Sequence, residues 1–209
     1  MSERFIAGGL LILSFALFAV GAALPLVGET GNPRIYTLPS DDQLDAIGLN
    51  PGAWRWANVL MGTAAILLVS GLALLAVLLG DATLARLGLT IFTIAAVMWV
   101  VFSAYRATVP VQVADVMAGG GSPPAYHQAL AEWAGALFTT YATLAFLSLA
   151  AYGGAIIQTG LLAGWVGWAT IIYSLGLLLL MLVIGDTLPA FHYLPPLLIG
   201  ILLLIRDSP

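Results

Sequence analysis

The feature that most constrains this chain is a series of mostly apolar runs, each about twenty residues long. A run of that length can cross a hydrocarbon core of roughly 30 Å as an α-helix. Because backbone in lipid must satisfy its own hydrogen bonds, the predicted fold class is an all-α, polytopic membrane helical bundle in one domain, 1–209. About six transmembrane helices are predicted, at residues 5–27, 54–79, 87–106, 126–158, 161–185 and 188–205.

Composition supports the membrane assignment and excludes several classes of function. Apolar residues make up 61% of the chain and charged residues 8%, with a mean hydropathy of +1.05. This excludes an ordinary soluble fold, so the lipid bilayer is the first expected partner. Without cysteine, disulfides and thiolate metal sites are excluded. A net charge of −4 with no basic cluster argues against nucleic acid as a partner.

Two short interfacial helices are predicted between the spans. Ser40-Asp41-Asp42-Gln43 is a capping box with acids in the first turn. Thr108 is predicted to cap a second short helix that begins at Pro110 and stops at the triple glycine 119–121. Pro195-Pro196 interrupts the last apolar run, so the final helix is expected to be kinked or to start late.

Topology follows less directly from the charges. The first apolar run is longer than the apolar region of a cleavable signal peptide, so we expect it to be retained as a helix. Arginines divide evenly between the two sides: Arg4, Arg86 and Arg206 against Arg34, Arg55 and Arg106. The positive-inside rule therefore gives no orientation. Because the short connections would then face the cytoplasm, we expect both termini to be cytoplasmic, in a bacterial cytoplasmic membrane.

Glu132 is the most conspicuous charge in an apolar run. It follows the predicted helix start at Tyr126 by about six residues, roughly 9 Å of rise. Its helical stripe comprises Gln128, Glu132, Ala136, Thr139 and Thr143. An ionisable group in hydrocarbon costs a few kcal/mol, so this stripe is expected to face protein, with Glu132 neutralised by a nearby arginine.

Alternating topology places several other polar residues at the same end of the bundle. The predicted cluster consists of Arg55, Asn58, Arg106, Glu132 and Asp186. One interpretation is a site for a small ligand or a proton. The other is structural: one arginine neutralises Glu132 and fixes helix packing, while the other side chains reach toward the interface.

His127 and His192 are the only histidines, and both are predicted near that same end. Two histidines there suggest axial ligands of a haem. The alternative is interfacial placement without a ligand, because each has a tyrosine beside it, Tyr126 and Tyr193. No cofactor is otherwise indicated. No metal-protease, nucleophile-elbow or phosphate-loop motif is present, so no catalytic residue is predicted and the chain is not expected to be an enzyme.

One segment resembles a known family. The stretch 151–155, Ala-Tyr-Gly-Gly-Ala, is followed at 159–168 by Thr-Gly-Leu-Leu-Ala-Gly-Trp-Val-Gly-Trp. This pattern resembles a bacterial family of six-helix integral membrane proteins of unknown function, in which a Tyr-Gly pair ends one helix and Gly-Leu-Leu-Pro-Arg-Trp-x-Gly-Trp opens the next. Here Ala163-Gly164 replaces Pro-Arg, which removes a cation from the turn. The resemblance implies the six-helix architecture and no chemistry.

Three functional hypotheses follow from the sequence. The first is a structural or accessory subunit that packs against larger membrane protein partners, because small residues line helix faces and polar groups at depth are few. The second is a small-molecule or lipid binding or transport protein, with a polar cavity around Glu132. The third is an electron carrier in which His127 and His192 hold haem.

Overall fold

The structure is a computed structural model that describes residues 2–38, 40–80, 82–185 and 187–206. Within those residues it contains helices and connecting turns and no strand. The helices are α1 (Glu3–Ala23), α2 (Ser40–Leu49), α3 (Pro51–Leu78), α4 (Thr83–Ala118), α5 (Tyr126–Thr159), α6 (Gly164–Ile184) and α7 (Leu194–Arg206). A 3₁₀ turn at Leu24–Leu26 ends α1, and the 3₁₀ segment Pro189–Tyr193 precedes α7.

Five of these helices, α1, α3, α4, α5 and α6, are long and apolar enough to cross a membrane. The chain is therefore compatible with an integral membrane protein, and the predicted helical bundle is confirmed. The last apolar stretch, Pro189–Ile205, is shorter than the other five, so a sixth crossing stays a prediction. The expected late start of the final helix is confirmed, because α7 carries Pro195 and Pro196 in its first turn, where proline is tolerated.

The helices pack in an order that leaves α3 near the middle. α3 contacts α1 on one side and α4 on the other, and α5 packs against α4. α6 lies outside on α5, while α7 lies outside on α1. The 3₁₀ segment contacts both α1 and α5, so it closes the bundle between them. The main core contains buried side chains from all of these helices.

Paired glycines allow close contact between α1 and α7 and between α5 and α6. A Cβ at Gly200 of α7 would lie 2.9 Å from the Gly8 carbonyl oxygen of α1. A Cβ at Gly167 of α6 would lie 2.5 Å from the Gly153 carbonyl oxygen of α5. Both helix pairs therefore approach too closely for any side chain at these positions. On α6, Gly167 is in this tight contact, whereas Gly164 faces open space.

The third predicted span was wrong in its end point. It was expected to stop at Arg106, with a separate surface helix from Pro110, but α4 is one continuous helix of 36 residues. Proline lacks the N–H that would bond the carbonyl of Arg106 four residues earlier. The Trp54 indole Nε1 of α3 donates to that carbonyl instead, at 2.7 Å. Thr108 does not cap a helix; its hydroxyl donates to the Ala104 carbonyl within α4.

At one end of the bundle the helices extend into a cap. α4 is 36 residues long and α5 is 34, so both exceed the roughly twenty residues of a span by about 20 Å of helix. The predicted short helix at Ser40 is confirmed as α2, which packs on the projecting part of α4. A small second core joins these parts; it contains Ile35, Ala46, Ile47, Trp54, Val111 and Ala114.

Candidate ligand-binding cavity

A cavity of about 440 Å³ lies where the cap meets the bundle. Side chains from α1 to α5 and residues 187–190 line it. Its volume is within the roughly 300–1,000 Å³ range of small-molecule sites. Most of the wall is apolar or aromatic, including Phe18 of α1, Met61 of α3 and Phe138 of α5. The cavity therefore suits a mainly apolar molecule.

Arg106 supplies the positive charge of the cavity wall. Its guanidinium carbon lies 4.4 Å from the ring centroid of Trp54 and 5.5 Å from those of Tyr36 and Phe102. Each contact is a cation–π interaction, worth about 0.5–2 kcal/mol. Contact with ring faces leaves the in-plane N–H donors of the guanidinium available. Three aromatic rings thus hold a planar, bidentate hydrogen-bond donor in the wall.

No acid neutralises this arginine among the residues that the structure describes. The titratable groups that interact electrostatically with the Arg106 guanidinium are the phenols of Tyr36 and Tyr105. Burial raises the pKa of Tyr36, against the opposing effect of Arg106, so its phenol stays protonated near neutral pH. That phenol donates to the Ala22 carbonyl at 3.1 Å. A partly buried cation without a counterion is a favourable position for an anionic ligand.

His127 provides a second polar group on the same wall. It lies at the start of α5, and its Nδ1 is buried without a hydrogen-bond partner. On α2, Gln43 also lines the cavity, but its side-chain Nε2 donates to the Ile35 carbonyl at 2.6 Å and holds the cap together. The cavity wall therefore contains a second polar side chain besides Arg106.

The expected inward placement of Glu132 was wrong. Glu132 is exposed, and its carboxylate accepts a 3.0 Å hydrogen bond from Nε2 of the equally exposed Gln128. The depth had been counted from the start of α5, but α5 is 34 residues long, more than a span needs, so its first residue does not mark the membrane boundary. Arg55 of α3 is exposed as well and does not turn toward Glu132. The predicted ion pair is therefore not formed.

Asn58 also lies apart from the predicted polar cluster. Asn58 is buried, but its side-chain amide donates to the Trp54 carbonyl one turn earlier in α3, at 2.8 Å, and it does not line the cavity. Asp186 lies outside the described residues. Of the four members of that cluster that the structure describes, Arg106 is the one that lines the cavity.

The two histidines lie in different surroundings. His192 is fully buried in the 3₁₀ segment, with its ring centroid 4.1 Å from Phe146 and 4.9 Å from Tyr141. His127 lines the cavity, whereas His192 does not. The geometry therefore does not place the two imidazoles on opposite sides of this cavity, as two axial ligands of one haem would require. The described residues also contain no cluster of three or more metal-ligating side chains.

The sequence analysis did not predict the three aromatic rings around Arg106, which belong to Tyr36, Trp54 and Phe102. In the sequence, the run Trp54-Arg55-Trp56 is typical of an interfacial anchor and does not indicate a binding site. The partner of the Trp54 indole, the Arg106 carbonyl, is distant in the chain, and no local pattern links the two residues. The available signal was Pro110, because a proline inside an apolar helix leaves a carbonyl that needs another donor.

Comparisons with protein families, with curated protein sequences and with solved structures give no match for this chain. The resemblance to the six-helix family therefore stays a prediction. Within the motif that carries it, Gly153 and Gly167 form the tight contact between α5 and α6. The motif accordingly reports helix packing and not the cavity.

Proposed function

We propose that this protein binds a small anionic amphiphile, with its acidic head at Arg106 and its apolar body in the cavity. The supporting observation is the arginine itself: a partly buried cation, surrounded by three aromatic rings and without a carboxylate partner among the described side chains, on the wall of a 440 Å³ cavity. This replaces a cavity centred on Glu132, which is exposed.

The head group is a carboxylate or a phosphate. Either anion accepts two parallel N–H bonds from a guanidinium, and such charge-assisted bonds are stronger than neutral ones. His127 offers a further polar contact from α5. Phe18, Met61 and Phe138 then surround the apolar body. Neutral alcohols of equal chain length would fill the same space without pairing Arg106.

Calorimetry in nanodiscs tests this proposal. Decanoate and decyl phosphate are titrated into protein held in phosphatidylcholine nanodiscs, with decanol as the neutral probe and empty nanodiscs as the blank. Both anions are expected to bind, and Arg106→Gln should weaken them about tenfold or more, because a charged hydrogen bond contributes about 1.5–3 kcal/mol. Arg106→Lys keeps the charge but loses the planar guanidinium. Its affinity for the two anions should therefore lie between those of the unsubstituted protein and of Arg106→Gln.

Two matched variants control for general changes in charge. Arg55→Gln removes an exposed arginine outside the cavity, and Glu132→Gln removes an exposed carboxylate. Neither should change binding of the anions. Equal binding of decanol and decanoate, or unchanged decanoate binding in folded Arg106→Gln, would refute the proposal.

The accessory-subunit hypothesis stays a prediction. α6 packs on α5 and leaves Leu182 and Val183 71% and 77% exposed, a surface that either lipid or a partner helix would cover. Native mass spectrometry of protein drawn from its own membranes distinguishes the two functions: stoichiometric partner chains support the subunit, and a bound anionic lipid supports the cavity. Placement in a bacterial cytoplasmic membrane with cytoplasmic termini is likewise proposed.

A further inference from the structure

The ligand cavity is open where the start of α5 lies near the segment 187–190. Ala131 and Gly135, one turn apart on α5, line the cavity and are exposed. Leu188 also lines it and is 58% exposed, and the 3₁₀ segment that follows Leu188 contacts α5. A Cβ at Gly135 would meet no heavy atom of the described residues within 4 Å. Ala131, Gly135 and Leu188 therefore border an opening of the cavity, the lateral mouth.

Exposed tryptophans mark the membrane boundary at the cap end of the bundle. Trp56 of α3 is 63% exposed and Trp133 of α5 is 49% exposed, and such tryptophans concentrate at the headgroup level. At 1.5 Å per residue, α3 continues for about 33 Å from Trp56 to Leu78. From Trp133 to Thr159, α5 continues for about 39 Å. Both lengths fit a bilayer with a hydrocarbon core of roughly 30 Å and a total thickness of about 40–45 Å.

The lateral mouth lies at this same depth. Ala131 and Gly135 are each separated from Trp133 by about 3 Å of helix rise. α6 has 21 residues, about 30 Å of helix, which is a single span. The segment that follows α6, with Leu188, therefore returns to the boundary on the cap side. An exposed helix side at this depth faces lipid, so the mouth opens sideways into the bilayer.

The cavity wall has the polarity of one bilayer leaflet. Arg106 lies about 35 Å of helix beyond Thr83, the first residue of α4, so it also reaches the headgroup level on the cap side. Met61 and Phe138 each lie about 8 Å deeper than the exposed tryptophan of the same helix. The cation is thus at headgroup depth and apolar side chains are below it, in the order of the head and chain of a lipid.

We propose that the ligand is an anionic lipid of the surrounding bilayer, which reaches Arg106 through the lateral mouth. This inference rests on the proposed function and adds the source of the ligand. The acidic head stays at headgroup depth throughout, so entry does not require a charge to cross hydrocarbon. One chain fills the cavity, while a second chain stays outside in the bilayer. A ligand from water would instead enter at the cap, where Ser40 of α2 is exposed and lines the cavity.

Phosphatidate made inside a preformed bilayer tests this route. Protein in dioleoylphosphatidylcholine nanodiscs is treated with phospholipase D, which converts part of the lipid to phosphatidate. Because this two-chain lipid is almost insoluble in water, it can reach the protein only from the bilayer. Native mass spectrometry then counts the phosphatidate retained per protein. The unsubstituted protein and Arg55→Gln should retain one molecule, and Arg106→Gln should retain about tenfold less.

Bulky substitutions at the mouth test where the lipid enters. Gly135→Trp and Ala131→Trp each place an indole in the mouth and should abolish retention of phosphatidate. The open space at Gly135 lets the indole fit without displacing a neighbouring side chain. Ala136→Trp is the matched control, because Ala136 is the next residue of α5, is exposed and does not line the cavity. This variant should retain phosphatidate, and circular dichroism confirms that each variant is folded.

The outcomes separate this inference from the proposed function. A protein that binds decyl phosphate but retains no phosphatidate would overturn the bilayer route and leave the proposed function standing. Failure to bind decyl phosphate would overturn both. Equal retention by folded Gly135→Trp and Ala136→Trp would overturn the lateral mouth as the entrance. Loss of phosphatidate in Ser40→Trp alone would do the same and place the entrance at the cap.

Discussion

The bond between Trp54 and the Arg106 carbonyl allows a quantitative test of how α4 continues through Pro110. Pro110 cannot donate to that carbonyl, and the indole Nε1 does so at 2.7 Å. Trp54→Phe removes this donor and leaves the carbonyl unpaired, at about 1–3 kcal/mol. It also places a smaller ring against the guanidinium, at about 0.5–1 kcal/mol. The free energy of unfolding should therefore fall by about 1.5–4 kcal/mol.

Pro110→Ala should rescue much of that loss. Alanine at this position restores the backbone N–H, which then bonds the Arg106 carbonyl within α4. In the Pro110→Ala background, Trp54→Phe should lower the free energy of unfolding only through the smaller ring. The coupling free energy between the two substitutions should therefore be about 1–2 kcal/mol. If Trp54→Phe acted only through lost side-chain packing, Pro110→Ala would not restore stability, because the alanine methyl group adds no contact with the side chain at position 54.

The measurement is equilibrium unfolding by sodium dodecyl sulfate in mixed micelles, followed by far-ultraviolet circular dichroism. Tryptophan fluorescence is unsuitable, because a tryptophan is itself replaced. Trp56→Phe, at a position 63% exposed, is the control and should leave the unfolding free energy unchanged. Additivity of the two substitutions within about 0.3–0.5 kcal/mol would refute the assignment of the indole as the substitute donor.

Two further predictions concern packing and topology. Gly167→Ala should lower the unfolding free energy by about 1–3 kcal/mol, because its Cβ would meet the Gly153 carbonyl at 2.5 Å; Gly164→Ala, in open space, is the control, and equal effects of the two would contradict the contact. The chain has no cysteine, so single-cysteine labelling reports topology directly. Ser122→Cys, between α4 and α5, should react with a membrane-impermeant maleimide in intact cells, and Ala163→Cys, between α5 and α6, only after lysis. The reverse pattern would place the termini outside.

Except for the end of α4, the long helices were predictable to within a few residues, because the signals that start and stop them are local in the sequence. α5 was expected at 126–158 and spans Tyr126–Thr159, since its apolar run and the turn at Gly160 are both visible in the sequence. α3 begins at Pro51, three residues before its predicted start, because the Asn50 side chain accepts from the Ala53 N–H and caps the helix. The end of α4 was missed because its continuation depends on a donor from another helix.

The candidate site was less predictable. Arg106 was proposed from the sequence as part of a polar cluster, and it does line the cavity. Its expected partner, Glu132, points outward. The rings that surround it come from a loop, from α3 and from α4, at Tyr36, Trp54 and Phe102. Phe102 and Arg106 are four residues apart on α4 and so share a helix face, but no spacing along the chain connects them with Tyr36 or Trp54. The assembly of the site was therefore not readable before the helices were packed.

By itself, the sequence determined that this chain forms long apolar helices and, apart from the end of α4, roughly where each begins and ends. The reason is that hydrocarbon forces every backbone group to bond within its own segment, so length and hydropathy suffice. Only the tertiary structure decided which face of each helix turns inward, because rotation about a helix axis depends on the shapes of its neighbours. That rotation placed Arg106 in the cavity and Glu132 at the surface of the cap.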